Sequence, residues 1–242
     1  MRRIATLAGM LLLATHFAQA GCAAMPAQLP FEATPSPQQD PNWQARLAAL
    51  DTILATTDLS KIHVVFLGDS ITEAWAPPVF DHFNQYRGAL NLGVRGDGAH
   101  SMLWRLPRIP FGTKLKPDLI VLLIGTNNLW PQANLTNVAT GIGAVVGELR
   151  RRSPTSKILM LKLLPRGEQP NDSWRLQVDQ VNKMLSACAE PGVTVIDPGP
   201  VLLDGKGVLA KDISFDTLHL TWLGYAILGG ALEMPIRNAL SN

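Results

Sequence analysis

Cysteine is scarce in this chain, with two thiols, Cys22 and Cys188, among 242 residues. So few leave no disulfide framework to read; a Cys22–Cys188 bridge stands against Cys188 as a small buried hydrophobe. Charge of one sign is lacking as well. Removing residues 1–20 takes two arginines and no acid from 21 basic and 19 acidic residues, leaving a formally neutral chain. Nucleic acid is therefore not an expected partner. Beyond the first twenty residues no segment approaches the ~20 consecutive apolar residues of a membrane span. Residues 93–98 are glycine-rich but lack the Lys-Ser/Thr ending of a phosphate-cradling loop. Thr72 stands where a Gly-x-Ser-x-Gly elbow needs its last glycine, which disfavours an α/β-hydrolase. The chain has no internal repeat.

What is present is a globular composition, 47% apolar and 17% charged, long enough for one domain with a real core. Arg2 and Arg3 precede an apolar stretch over residues 4–14, and Ala18-Gln19-Ala20 supplies the small residues a signal peptidase reads. Residues 1–20 are thus expected to be a signal peptide directing export to a bacterial periplasm or the medium. Ala20-Gly21-Cys22 partly matches a lipoprotein cleavage box, so an anchor through a lipidated Cys22 is the alternative, although Gln19 replaces the usual aliphatic residue. Five prolines between residues 21 and 41 suit an extended tail or linker, which places the folded domain at residues 42–242.

Within that domain, apolar runs at residues 62–67, 89–92, 119–124, 157–163 and 193–196 read as strands buried on both faces. Helical patterns alternate with them: one behind Asn42 as a cap, then residues 99–106, 135–152, 173–189 and 221–238. The alternation predicts a parallel sheet covered by helices on both faces, with ligands beyond the carboxyl ends of the strands.

Three loops at those ends carry chemistry. Ser70 lies in Gly68-Asp69-Ser70-Ile71-Thr72, Gly96 in Asn91-Leu92-Gly93-Val94-Arg95-Gly96-Asp97, and Asn127 in Gly125-Thr126-Asn127-Asn128. A fourth block, Asp216-Thr217-Leu218-His219, follows near the C-terminus. A serine hydroxyl needs a base, and the base a third group that orients it. His219 and Asp216 can supply both, since three residues of spacing let the carboxylate fold back onto the ring. The Ser70 and Gly96 amides and the Asn127 side chain are candidate oxyanion donors.

These blocks, with Leu103-Trp104-Arg105-Leu106 and Leu163-Leu164-Pro165-Arg166-Gly167-Glu168, resemble the SGNH (GDSL) hydrolase superfamily over residue 62 to the C-terminus. The likeness is greatest to platelet-activating-factor acetylhydrolase catalytic subunits and their bacterial relatives. It implies a flavodoxin-like three-layer α/β/α sandwich with a five-stranded parallel sheet, Ser70 as nucleophile with Asp216 and His219, and no metal or cofactor. Ile71 replaces the leucine of the family motif. A small-molecule or glycan ester is the expected substrate, with hydrolysis of short acyl esters first, sugar O-deacetylation or acyl transfer second, and a non-catalytic binding module last. Trp75, Trp130 and Leu218, each near a block, are expected to wall the acyl site. Arg166 and Glu168 would meet a leaving group or pair with each other, and Trp104 and Arg105 would hold the oxyanion loop to its helix.

Overall fold

The computed structural model describes residues 26–241. The leader and Cys22 lie outside them. Five parallel strands, β1 (Val64–Gly68), β2 (Ala89–Asn91), β3 (Leu119–Leu123), β4 (Lys157–Leu161) and β5 (Val193–Ile196), form one sheet in the order β2-β1-β3-β4-β5. Phe66 of β1 pairs with Asn91 on one side and Val121 on the other, while Gly68 is level with Leu123. The strand order reverses at β1, so the loops after β1 and β3 flank the switch point where such sheets bind ligands.

The period-two pleat divides the core between the two faces. Val65, Leu67, Ile120, Leu122, Ile158 and Met160 point to one face, under helices α1 (Pro41–Thr56), α4 (Ala99–Arg105), α5 (Leu135–Arg152) and α6 (Ser173–Leu185). Val64, Phe66, Leu119, Val121, Leu159 and Leu161 point to the other, under α3 (Pro77–Asn84) and α7 (Trp222–Ser241). A single turn of helix, α2 (Ser70–Glu73), follows β1 directly. The result is the expected three-layer sandwich.

Local chemistry accounts for the helix starts and for two departures from expectation. Asn134 caps α5 through Thr136 and Asn137, and Arg150, Arg151 and Arg152 close it where the dipole favours cations. Helix α1 is capped by Asp40 rather than Asn42, because Pro41 needs no N–H partner and fits the first helical position. The same property lets Pro77 and Pro78 open α3, a helix not among the expected ones. Strand β4 stops at Leu161, and Leu163 instead exchanges two hydrogen bonds with the Asn182 side chain, which stands in for a neighbouring strand.

The described part of the proline-rich segment lies against the domain. Its turn at Phe31–Ala33 buries Glu32 and Ala33. Cys188 is buried at the end of α6 and is not a free thiol.

Candidate active site

Ser70 emerges two residues past the end of β1. Gly68 permits the turn by leaving its α-carbon bare, since a β-carbon there would lie 1.9 Å from Thr72 Oγ1 and 2.6 Å from the Leu123 carbonyl. Asp69 caps the short α2 by accepting the Ile71 amide at 2.9 Å. Its second carboxylate oxygen is buried with no hydrogen-bond partner, and that burial raises the group to about 7.

The loop after β2 is tied to this turn. Asn91 Nδ2 donates to the Thr72 carbonyl at 2.6 Å, and the Val94 amide donates to the Gly68 carbonyl at 3.0 Å. Behind the loop, Asp97 is fully buried and accepts from Trp43 Nε1, Ser101 Oγ and Arg105 Nε at 2.7, 2.9 and 2.5 Å. Arg105 also donates to the Gly68 carbonyl at 3.3 Å, so one guanidinium clamps the loops after β1 and β2 together. Gly96, at φ +76°, turns the chain at the rim. Asn127 approaches from the loop after β3 and donates to the Asp97 carbonyl at 2.9 Å. Its neighbour Asn128 accepts the Ala99 amide at the start of α4.

His219 arrives from the opposite side. Asp216 Oδ1 accepts the Leu218 and His219 amides at 3.0 and 2.7 Å, and Oδ2 faces His219 Nδ1 at 2.7 Å. Folding the carboxylate back in this way puts Thr217 at φ 67°. Partial burial works to raise the Asp216 carboxyl, but the ring and backbone hydrogen bonds outweigh it and hold the group below its usual range. The other ring nitrogen, Nε2, lies 2.9 Å from Ser70 Oγ. With Nδ1–H donated to the carboxylate, Nε2 is left as the acceptor for the serine proton.

Ser70 and His219 open onto a cavity of about 520 Å³. Ser70, Gly96, Asn127 and His219 line it, together with Gln38, Asp40, Trp43, Arg95 and Phe215. Trp75 does not. It is buried on the far face of the sheet, stacked on Tyr225 and edge-on to Phe66 and Phe80. Trp130 is exposed and also absent from the lining, and Leu218 packs against the second core. Proximity in sequence misled here, because successive residues leave a turn in different directions. The same proximity would have found Phe215, whose ring is nearly parallel to the His219 imidazole at 6.0 Å. Gln38, Asp40 and Trp43 had no comparable signal, for their segment reads as linker and helix core. Arg166 neither meets the cavity nor pairs with Glu168. It donates to the Thr126 carbonyl at 3.2 Å and lies 3.7 Å over the Trp174 ring. Among the described residues no group of three His, Cys, Asp or Glu side chains is placed to hold a metal ion.

Comparison with known proteins bears on this arrangement. The model of the GDSL-like Lipase/Acylhydrolase family matches residues 66–227. The human platelet-activating factor acetylhydrolase IB subunit alpha1 is 32% identical over 211 residues, covering 86% of this chain and 90% of that protein. Two solved structures share the fold. A GDSL-like lipase of Bacteroides thetaiotaomicron matches with a TM-score of 0.66 at 22% identity, over 81% of this chain and 98% of that one. An acetylxylan esterase of Geobacillus stearothermophilus matches at 0.59 and 19%, over 73% and 96%.

Proposed function

This chain belongs to the GDSL-like lipase/acylhydrolase family of carboxylic ester hydrolases, and we propose that it is an exported esterase cleaving short, acetyl-type esters through an acyl-enzyme on Ser70. The observation that carries the reading is the unbroken chain from Ser70 Oγ through the His219 ring to Asp216, at 2.9 and 2.7 Å. As Ser70 Oγ attacks the ester carbonyl, its proton passes to His219 Nε2, and Asp216 stabilises the resulting imidazolium. The oxyanion is received by the Ser70 and Gly96 amides and by Asn127 Nδ2. That side-chain nitrogen has two hydrogens, and one remains after its bond to Asp97. His219 then returns the proton to the departing alkoxide. Water attacks the acyl-enzyme, giving up a proton through His219 to restore the Ser70 hydroxyl.

Short acyl groups are favoured by the cavity walls. Gln38, Asp40 and Arg95 interrupt the apolar lining, and a long alkyl chain would cost them their solvation. The relatives named acetylhydrolases point the same way. The same polar side chains, with Phe215 exposed at the mouth, also favour a hydroxyl-rich leaving group, so removal of acetyl from a sugar, or its transfer to one, is the second reading. A binding module without catalysis has no use for a serine hydroxyl held against an oriented imidazole.

Export rests on the leader at residues 1–20, with attachment through a lipidated Cys22 as the alternative; a lipidated Cys22 could not also be the disulfide partner of Cys188, which is not a free thiol. The intact mass of the exported protein distinguishes them. Replacing Ser70 by Ala is expected to lower kcat by orders of magnitude, on the order of 10⁶ where such groups act as a unit. The circular dichroism spectrum and melting temperature should match wild type. Turnover at the wild-type rate in that variant removes the serine mechanism. A panel of acetate, butyrate and octanoate esters tests chain length, and a preference for octanoate removes the short-acyl reading. Acetylated sugar substrates, followed by product analysis with added polyol, separate the second reading from the first.

A further inference from the structure

The segment ahead of α1 reaches the rim of the cavity and holds the loop that carries Gly96. Gln38 Nε2 donates to the Gly96 carbonyl at 2.7 Å, across 58 residues of chain. The Ser36 amide donates to the His100 carbonyl at 3.2 Å, and the Phe31 ring packs on the His100 imidazole at 4.3 Å. Trp43 Nε1 closes the run on Asp97 at 2.7 Å. The other end of the strap is seated on α5. A β-carbon on Gly141 would lie 2.6 Å from the Glu32 carbonyl oxygen, so a glycine inside this helix, where alanine would favour helix formation, makes room for the segment.

Gly96 itself has no atom within 4 Å of where a β-carbon would sit, so side-chain packing does not fix its conformation. Its backbone is held at both flanks instead. The Arg95 amide donates to Glu73, and the Gly96 carbonyl accepts from Gln38. Between these two peptides lies the Gly96 N–H, the donor assigned above to the oxyanion. A donor is effective only if it is aligned before charge develops.

We infer that residues 31–43 are a strap that sets the geometry of the Gly96 loop, with Gln38 as a positioning residue for the oxyanion donor. The kinetic consequence rests on the esterase reading; the mechanical one does not. Losing an oxyanion donor outright costs roughly 10²–10³ in kcat, so loosening one through its neighbour should cost less.

The test uses the full chain with Gln38→Ala, Gln38→Glu and Gly141→Ala, a small acetate ester, hydrogen exchange and thermal melting. Gln38→Ala is expected to lower kcat about tenfold with KM within about twofold of wild type and the melting temperature unchanged. Amides of residues 94–98 should exchange faster. Gln38→Glu, which cannot donate to the carbonyl, should do no better than alanine. Gly141→Ala lies outside the cavity lining and should lower kcat in the same way by lifting the strap. Wild-type kcat in Gln38→Ala, or unchanged exchange at residues 94–98, overturns the inference. If Gly141→Ala does not fold, the two Gln38 variants decide. If Ser70→Ala retains wild-type turnover, the esterase reading fails and the exchange data alone judge the strap.

Discussion

The Gly96 loop and the Asp216–His219 turn, the proposed oxyanion and base sides of the site, are held in different ways. Asp97 and Arg105, behind the Gly96 loop, have side chains 0% and 2% exposed, and bonds from these two residues reach Trp43, Gly68, Ser101 and Asn127 on four separate segments. Asp216 and His219 are 41% and 28% exposed. Their register comes from bonds within a four-residue turn, supported by Ser214 Oγ donating to the His219 carbonyl and the Gly167 amide donating to the Thr217 carbonyl. The loop that carries the proposed donors is anchored in the core through Asp97 and Arg105, a buried ion pair whose hydrogen bonds are made and which is costly to disturb. His219, which as the proposed base must gain and lose a proton, sits where solvent can reach it.

Substitutions on the two sides should therefore separate activity from stability. After Ser70→Ala, the largest effect on rate is expected from Asp216→Asn. An amide cannot accept the Nδ1 proton as the carboxylate does, and kcat should fall about 10⁴-fold with little change in urea stability. A comparable loss of stability would mean the turn is part of the core after all. Arg105→Met reverses the pattern. It leaves Asp97 buried without its cation, and unfolding free energy should drop by about 3–5 kcal/mol, with much of the loss recovered when Asp97→Asn is added. Additive losses in that double variant would remove the clamp.

The pH dependence of folding sharpens the contrast further. Asp69 is raised to about 7 in the folded chain, above its value when unfolded. Its contribution is complete in acid and is lost as pH rises toward 7, amounting to a few kcal/mol. Asp216 is lowered, so its smaller contribution is present above the usual carboxylate range and is lost as pH falls. Denaturant titrations of Asp69→Asn should show a shallower decline between pH 4 and 7 than wild type. An identical slope would mean that Asp69 is ionised throughout. The smallest effect belongs to Thr217, a β-branched residue at φ 67°. Thr217→Asn should raise stability by up to about 1 kcal/mol, since asparagine tolerates this conformation, with kcat retained.

The strands, five of the seven helices and the four chemical blocks were legible along the chain because each depends on neighbours in sequence. Buried parallel strands require continuous apolar runs, and Asn134 caps α5 whatever lies across the sheet. The strap was not legible. Pro26, Pro30, Pro35, Pro37 and Pro41 give the composition of a linker, and nothing within the segment records that Gly141 leaves room for Glu32 or that Gln38 finds the Gly96 carbonyl. Trp75 shows the same gap from the other side, since five residues past Ser70 the α2 turn has carried it through to the opposite face of the core.

The sequence by itself determined the layered parallel fold, the loops that would carry Ser70, Gly96 and Asn127, and the pairing of Asp216 with His219. These follow from periodicity and turn chemistry acting over a few residues. Only the tertiary structure decided which side chains wall the cavity and which hold its donors. Gln38, Trp43 and Phe215 take those roles because the crossovers of the sheet bring distant segments to one rim, and a linear pattern carries no measure of the distance between them.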